Sequence, residues 1–375
     1  MRWVRRALIV LVVTLPVTVG LLFWATSPDA EAARASEQED IAAIVQGILS
    51  IQKHLAAQQH RPLARGTHAK GICARATFEI FDLALKMPDT MLAARLAQGI
   101  YATPGVYEAR VRFANADSNI NPDSKRDVRA LSFAIDLPGD AAKGTVRRQD
   151  FSTNDRPTFP INDAHAFATL VRVVAAPSAF QGMRALGFRD KLSFARTAIL
   201  GQGQELQSEL PYQTRRYWST VPFKHGASDV IKYSLTPCVT NPRTAISHAD
   251  PDGLQKDLIR HLDNDGTTSC FDFGLQLLDI QTMKYWGRQR SRDFWIENAS
   301  VEWPEREAPF HPVGKLTLLP KSQIAPDVCE AWHIDVTENA TPDSTPLGSI
   351  NRARWPAETA SRKARLATPG AVTGN

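Results

Sequence analysis

Four segments with strand-like alternation succeed one another in the first half of the chain: Ala74–Phe81, Tyr107–Ala114, Val128–Asp136 and Arg147–Thr153. Their side chains repeat with a period of two, so that Ala76, Phe78 and Ile80 fall on one face of the first segment and Thr77, Glu79 and Phe81 on the other. Polar or Gly/Pro-containing connections separate the segments, as antiparallel neighbours require. Strand patterns return at Asp229–Thr236, Ser269–Leu278 and Lys315–Leu319, after a mainly helical stretch from about Asp163 to Leu200. Helices grouped in this way exclude a βαβ alternation. The pattern predicts an α+β chain built on a mostly antiparallel sheet or barrel.

Two helical segments flank this body. Ile41, Ile44, Val45, Ile48 and Leu55 make the apolar stripe of an amphipathic helix after a linker, and a last long helical pattern is predicted to break at Pro356. The extreme N-terminus is of another kind. Arg2, Arg5 and Arg6 precede an uncharged apolar run from Ala7 to about Thr26, about the ~20 residues a membrane-spanning helix needs. The arginines would stay on the cytoplasmic side and send the rest of the chain outward. A secretory signal cleaved near "DAEAARA" is the alternative, which would leave a secreted protein. The predicted organisation is an anchor or signal over 1–28, a linker and helix over 29–59, one domain over 60–366 and a disordered tail over 367–375.

With 375 residues, 43% of them hydrophobic, the chain can bury a full-sized core. Its net charge of +5 is spread among interleaved acids and bases; no aromatic-basic stripe marks a nucleic-acid surface. Four cysteines, Cys73, Cys238, Cys270 and Cys329, stand far apart with no C-x-x-C pair, which argues against zinc. Outside the cytoplasm they are free to form disulfides, of undetermined pairing, or they are small buried hydrophobes. Zincin, P-loop and nucleophile-elbow motifs are all missing.

What remains is a set of polar residues attached to the strands. Arg65 and His68 precede the first, Arg112 ends the second, and Asn154 ends the fourth. Polar side chains at barrel-strand ends are expected to converge on one mouth. There a histidine can move a proton, an asparagine can orient a small polar molecule, and arginines can bind carboxylates. The residues alone describe a pocket for an acidic ligand with a general base in it.

"RGTHAKG", "VRFAN", "KRDVRALSFAID" and "FSTNDRPTFPINDAHAF" resemble, in order and with compatible spacing, the successive core motifs of haem catalases. "YWSTVPFKHGASDVIKYSL", "SVEWPEREAPFHPVGKLTL" and "TPLGSINRAR" are similar to the short catalase-like proteins, the catalase-related peroxidases. The resemblance covers residues 60 to 366 and implies a catalase-like antiparallel β-barrel. It implies haem b as cofactor, a peroxide substrate with a reductant of unknown identity, and oxidoreductase activity. By it, His68 is the distal proton carrier and Asn154 the distal asparagine that orients the peroxide. Phe167 lies against the haem plane, and Arg65, Arg112 and Arg365 face the propionates.

One position departs from the family. The late helix "INRARWPAETASRKARL" supplies Arg354 where the family has an arginine, but Glu358 where it has the tyrosine that ligates iron. All six tyrosines lie far upstream. Arg354, one turn away, is expected to keep Glu358 ionised as an altered axial ligand while competing for it as an ion-pair partner. The residue after Asn154 is Asp155 where the family has asparagine. The expectation is a haem-dependent, peroxide-consuming enzyme with an atypical proximal side; the alternative is a non-catalytic binding or interaction protein on the same fold.

Overall fold

A computed structural model describes residues 18–139, 147–205, 210–238, 250–264 and 269–367. Its centre is an all-antiparallel sheet whose strands run β5 (Tyr217–Trp218), β4 (Arg147–Asn154), β3 (Arg129–Leu137), β2 (Gly105–Asn115), β1 (Gly71–Ile80), β11 (Phe310–Gln323), β8 (Cys270–Leu277), β7 (Asp229–Pro237) and β6 (Phe223–His225). A further pairing of β5 with β7 closes eight of these strands into a barrel. A two-residue strand is enough for closure because Trp218 meets Asn154 on one side and Ser234 on the other.

The interior is solid. Phe78, Phe133, Phe151 and Phe273 pack at its centre with ring centroids 4.3–6.1 Å apart, spacings at which aromatic pairs attract. Tyr101, Tyr107, Tyr212, Tyr217 and Tyr233 belong to the same core, and Tyr285 packs against a separate cluster around Phe294 and Trp295. The barrel is therefore a packed core without a ligand-sized lumen. Any site built on its strands has to lie on the outer wall.

Three helices cover part of that wall: α1 (Glu37–Gln58), α2 (Ala164–Val174) and α3 (Ser349–Leu366). Ile41, Ile44 and Ile48 of α1 meet Ala164 and Ala168 of α2 and Ala353 and Ala357 of α3 in one apolar cluster. Small residues on two of the three helices let their axes approach closely. Arg352 ties the ends together with two fork-like ion pairs, to Glu37 at 2.6 and 2.8 Å and to Glu297 at 3.0 and 2.8 Å. The predicted break at Pro356 does not occur: α3 runs through it. Proline removes one donor and crowds one carbonyl, while burial of Ala353 and Ala357 on either side holds the turns in line.

The remaining cover is the segment after β11. The disulfide Cys73–Cys329 joins the outer face of β1 to a short helix, α4 (Pro326–Ala331). Trp332 packs with this bridge against Ala134, between the guanidiniums of Arg110 and Arg148. A second disulfide links Cys238 to Cys270. Residues 1–17 of the predicted anchor and 368–375 of the predicted tail lie outside the described residues. Residues 18–25 are helical, and among the described residues no helix is long and apolar enough to cross a membrane.

Candidate functional site

Arg112 is opposite Cys73 in the β1–β2 register, and the neighbouring Val111 and Phe113 point into the core. Asn154 likewise alternates with the core residue Phe151 three positions earlier. Both side chains thus stand on the outer wall, facing the helices. The expected convergence at a barrel mouth is corrected here: the aromatic filling leaves no room inside, so the polar set gathers between the wall of β1–β4, α3 and the 326–341 segment.

His68 lies on the loop entering β1 with φ of 56°, a left-handed conformation that histidine tolerates better than most residues. Its backbone is pinned on both sides. The His68 N–H donates to the Ala116 carbonyl at 3.1 Å, and Arg112 Nη2 donates to the His68 carbonyl at 3.0 Å. One residue pair upstream, Gly66 N–H donates to Ser361 Oγ of α3 at 3.1 Å. A side chain at Gly66 would meet Ile48 and Ser361 at 2.8 and 2.9 Å, so only glycine lets the loop lie this close to α1 and α3.

One nitrogen of the His68 ring, Nδ1, is buried without a hydrogen-bond partner, while the ring also bonds to the Asn115 backbone. Burial first, then the guanidiniums of Arg112, Arg354 and Arg65, push its pKa down to about 3. The imidazole is therefore neutral across the physiological range, and a weak base as long as the guanidiniums stand uncompensated beside it.

Three arginines meet beside it. Arg65 donates from Nη2 to the carbonyls of Glu330, at 2.9 Å, and of Trp332, and so caps the end of α4. Arg365 Nη1 donates to the Glu330 carbonyl at 2.9 Å and lies 3.3 Å from its Oε1. Arg112, only 7% exposed, is 4.0 Å from Glu330 Oε2, and its Nε is buried without a partner. Burial, then the Arg65 charge, lowers the Arg112 pKa to about 9, a sign of how much positive charge is packed here.

Glu358 and Arg354 lie one turn apart on α3, Nε to Oε1 3.7 Å. Arg354 favours the ionised carboxylate, as expected, but burial opposes it. Burial outweighs the guanidinium and raises the Glu358 pKa to about 7, although 44% of the side chain is reached by a water-sized sphere. Arg354 Nη1 is also buried and unpartnered. With five tyrosines in the barrel core and the sixth in another cluster, none replaces Glu358 at this position.

Phe167, half-buried on α2, packs against both the barrel core and the helix cluster, edge-on to Phe159 at 6.4 Å. Asp155 is structural. Its carboxylate accepts from the Arg129 N–H at 2.9 Å and from Arg215 Nη1 at 2.8 Å, and it anchors Arg156 at 3.2 Å. The buried charges of Arg129 and Arg215 account for an acid here in place of the family's amide.

Catalase A from Saccharomyces cerevisiae superposes on this chain with a TM-score of 0.57 at 15% identity, over 84% of this chain and 63% of its own. The fold is catalase-like. A fungal catalase gives the same TM-score of 0.57 at 16% identity, over 86% of this chain and 65% of its own. The chain thus spans just under two thirds of the length of these catalases. No protein-family model matches the sequence, and no curated protein matches it either.

On the catalase-like barrel the structure brings together His68, Arg65, Arg112, Arg354, Glu358 and Arg365, as their charge interactions show; Asn154 lies at the end of β4 and Phe167 on α2. Glu330 was missed by sequence reasoning. It sits on a short helix with no motif around it, and the only signal for it was the surplus of arginines that called for a counter-charge.

Proposed function

We propose that the chain is a haem-dependent, peroxide-consuming oxidoreductase whose proximal side carries Glu358 in place of tyrosine. The observation that carries this reading is the side-chain cluster itself: His68 with one orphaned ring nitrogen, next to a surplus of guanidiniums, on the outer wall of a catalase-like barrel. Four arginines face two carboxyls, Glu330 and Glu358. The unpartnered Arg112 Nε and Arg354 Nη1 add two donors with nothing to bind. A flat ligand bearing two carboxylates would balance this charge, and haem b fits that description.

In this reading Arg65, Arg112 and Arg365 would hold the propionates, and Phe167 and Glu358 would be the residues available to the ring and to the iron. Bound haem would supply the iron that binds and reduces peroxide. The protein's own part is proton handling: His68 takes a proton from one peroxide oxygen and returns it to the other, and the Asn154 amide orients the peroxide by hydrogen bonding. An acidic ligand would offset the guanidinium contributions to the low His68 pKa, which come after burial, its largest cause.

The protein's location is part of the proposal. The N-terminal arginine cluster and apolar run support a membrane anchor with the barrel outside the cytoplasm, on the periplasmic side. Two disulfides support an oxidising compartment.

A second reading, a non-catalytic binder of an acidic ligand, is favoured by the loss of tyrosine and by the raised pKa of Glu358, which leaves it partly protonated near neutrality. Reconstitution with haem separates the two. A Soret band with peroxide turnover supports the enzyme; no Soret absorbance at any haem concentration rejects it.

A further inference from the structure

Glu330 is in an unusual position. It is the carboxylate that Arg65, Arg112 and Arg365 all approach, at 3.5, 4.0 and 3.3 Å. None of these contacts reaches the ~2.7–2.9 Å of a strong guanidinium–carboxylate bond, and none is bidentate. The same chain makes tight forks elsewhere, as Arg352 does on Glu37 at 2.6 and 2.8 Å. Glu330 therefore sits among three cations and accepts only two long, single hydrogen bonds, from Arg65 Nε at 3.5 Å and Arg365 Nη1 at 3.3 Å.

It is nevertheless kept there by the backbone. Cys329, its neighbour, is bridged to Cys73, and Cys73 is directly opposite Arg112 in the β1–β2 register. Arg65 and Arg365 hold the same turn through the Glu330 main-chain carbonyl, at 2.9 Å each. The main chain is fixed by these bonds, while the side chain remains 33% exposed and free to swing away. Removing it from the guanidiniums would leave the backbone contacts intact.

We infer that Glu330 is a resident carboxylate in the arginine subsite, and that an acidic ligand binds by displacing this side chain from Arg65, Arg112 and Arg365. The inference rests on the proposed ligand-binding role of the cluster, and it adds a competitor built into the chain. Ligand affinity is then set by the difference between two carboxylates on the same guanidiniums. An empty site also keeps its positive charge partly compensated, which lowers the cost of clustering three arginines on one wall. Esterified ligands, having no charge to offer in exchange, would gain nothing from removal of Glu330.

Iron-free protoporphyrin IX is the suitable probe, because it carries the two propionates but needs no axial ligand and so does not depend on Glu358. Its fluorescence is titrated with wild-type full-length protein and with Glu330→Gln, which keeps the side-chain shape and removes the charge. Circular dichroism confirms that the variant is folded. Glu330→Gln is expected to bind the porphyrin about tenfold more tightly, the effect of about 1.4 kcal/mol, with protoporphyrin dimethyl ester binding both proteins equally. Equal affinity of the two proteins for the free acid, tighter binding by wild type, no binding by either, or an equal gain for the dimethyl ester would each overturn the inference. A parallel haem titration followed at the Soret band tests the haem reading by itself. Displacement of Glu330 with no Soret band would leave an acidic-ligand site without haem; a Soret band with no effect of Glu330→Gln would keep haem and reject the displacement.

Discussion

Arg354 Nε lies 3.7 Å from Glu358 Oε1 across one turn of α3, and the pair does not neutralise itself. Arg354 Nη1 remains buried without a partner, and the Glu358 pKa is raised to about 7. An i,i+4 pair on an exposed helix settles into mutual contact. Here burial costs the carboxylate more than a distant guanidinium returns, so both groups keep capacity for a third. That unspent capacity is what a site requires and a purely structural ion pair would lack.

The pH dependence of stability should carry the mark of Glu358. A carboxyl whose folded pKa is raised, here from 4.5 to about 7, binds its proton more tightly folded than unfolded. Its stabilising contribution is complete below pH ~4.5 and is lost as pH rises through about 7. Glu358→Gln removes this group. The difference in Tm between wild type and variant should therefore change across that window and flatten above it. Parallel Tm–pH curves would show that Glu358 is not proton-bound in the folded protein.

Much of this arrangement could be read in the sequence, and the limits have physical causes. Strong alternation marked β1 to β4, β7 and β8, because one face of each is buried in an aromatic core. β11 is longer than its predicted Lys315–Leu319 because Pro312 and Gly314 mask the pattern, and the pairing slips between them. The closing strand β5 has only two residues and no periodicity to detect. His68, Arg65, Arg112, Arg354 and Arg365 were recognisable from motifs. That they face outward depends on how full the barrel is, which no local pattern encodes. Glu330 depends on a fold-level contact between α4 and β1, residues 256 apart at the disulfide.

His68→Ala should lower peroxide turnover by about 10²–10⁴-fold, the range for a positioned acid–base group. Haem content should be retained, because the arginines and not the imidazole hold the ligand. Asn154→Ala should cost less, since an orienting amide transfers no proton. Steady-state rates at matched haem occupancy make the comparison; equal rates for wild type and His68→Ala would remove His68 from the mechanism.

The chain should fractionate with membranes, its barrel accessible from outside the cytoplasm. The reason is the arginine-flanked apolar run of spanning length, together with two disulfides that need an oxidising compartment. Protease added to spheroplasts should digest the barrel, and thiol labelling without reductant should find no free cysteine. Recovery in the soluble cytosol with reactive thiols would refute the assignment.

Glu358→Tyr is the most demanding substitution. A carboxylate is a hard ligand that suits ferric iron, but it donates less electron density than a phenolate. With a pKa near 7, a large part of Glu358 is also protonated at neutral pH and unavailable as an anionic ligand. Wild type should consequently load haem incompletely at neutral pH and take up more as pH rises above 7, until other groups titrate. Tyrosine at this position would sit beside Arg354, whose guanidinium favours phenolate. The variant should show higher haem occupancy, a weaker dependence of loading on pH near 7 and a higher rate of dioxygen release from hydrogen peroxide. Haem titrations of both proteins between pH 6 and about 8.5, spanning the Glu358 pKa, give the measurement. A tyrosine variant that gains neither occupancy nor turnover, beside a wild type without Soret absorbance, would leave the non-catalytic acidic-ligand site as the function of this cluster.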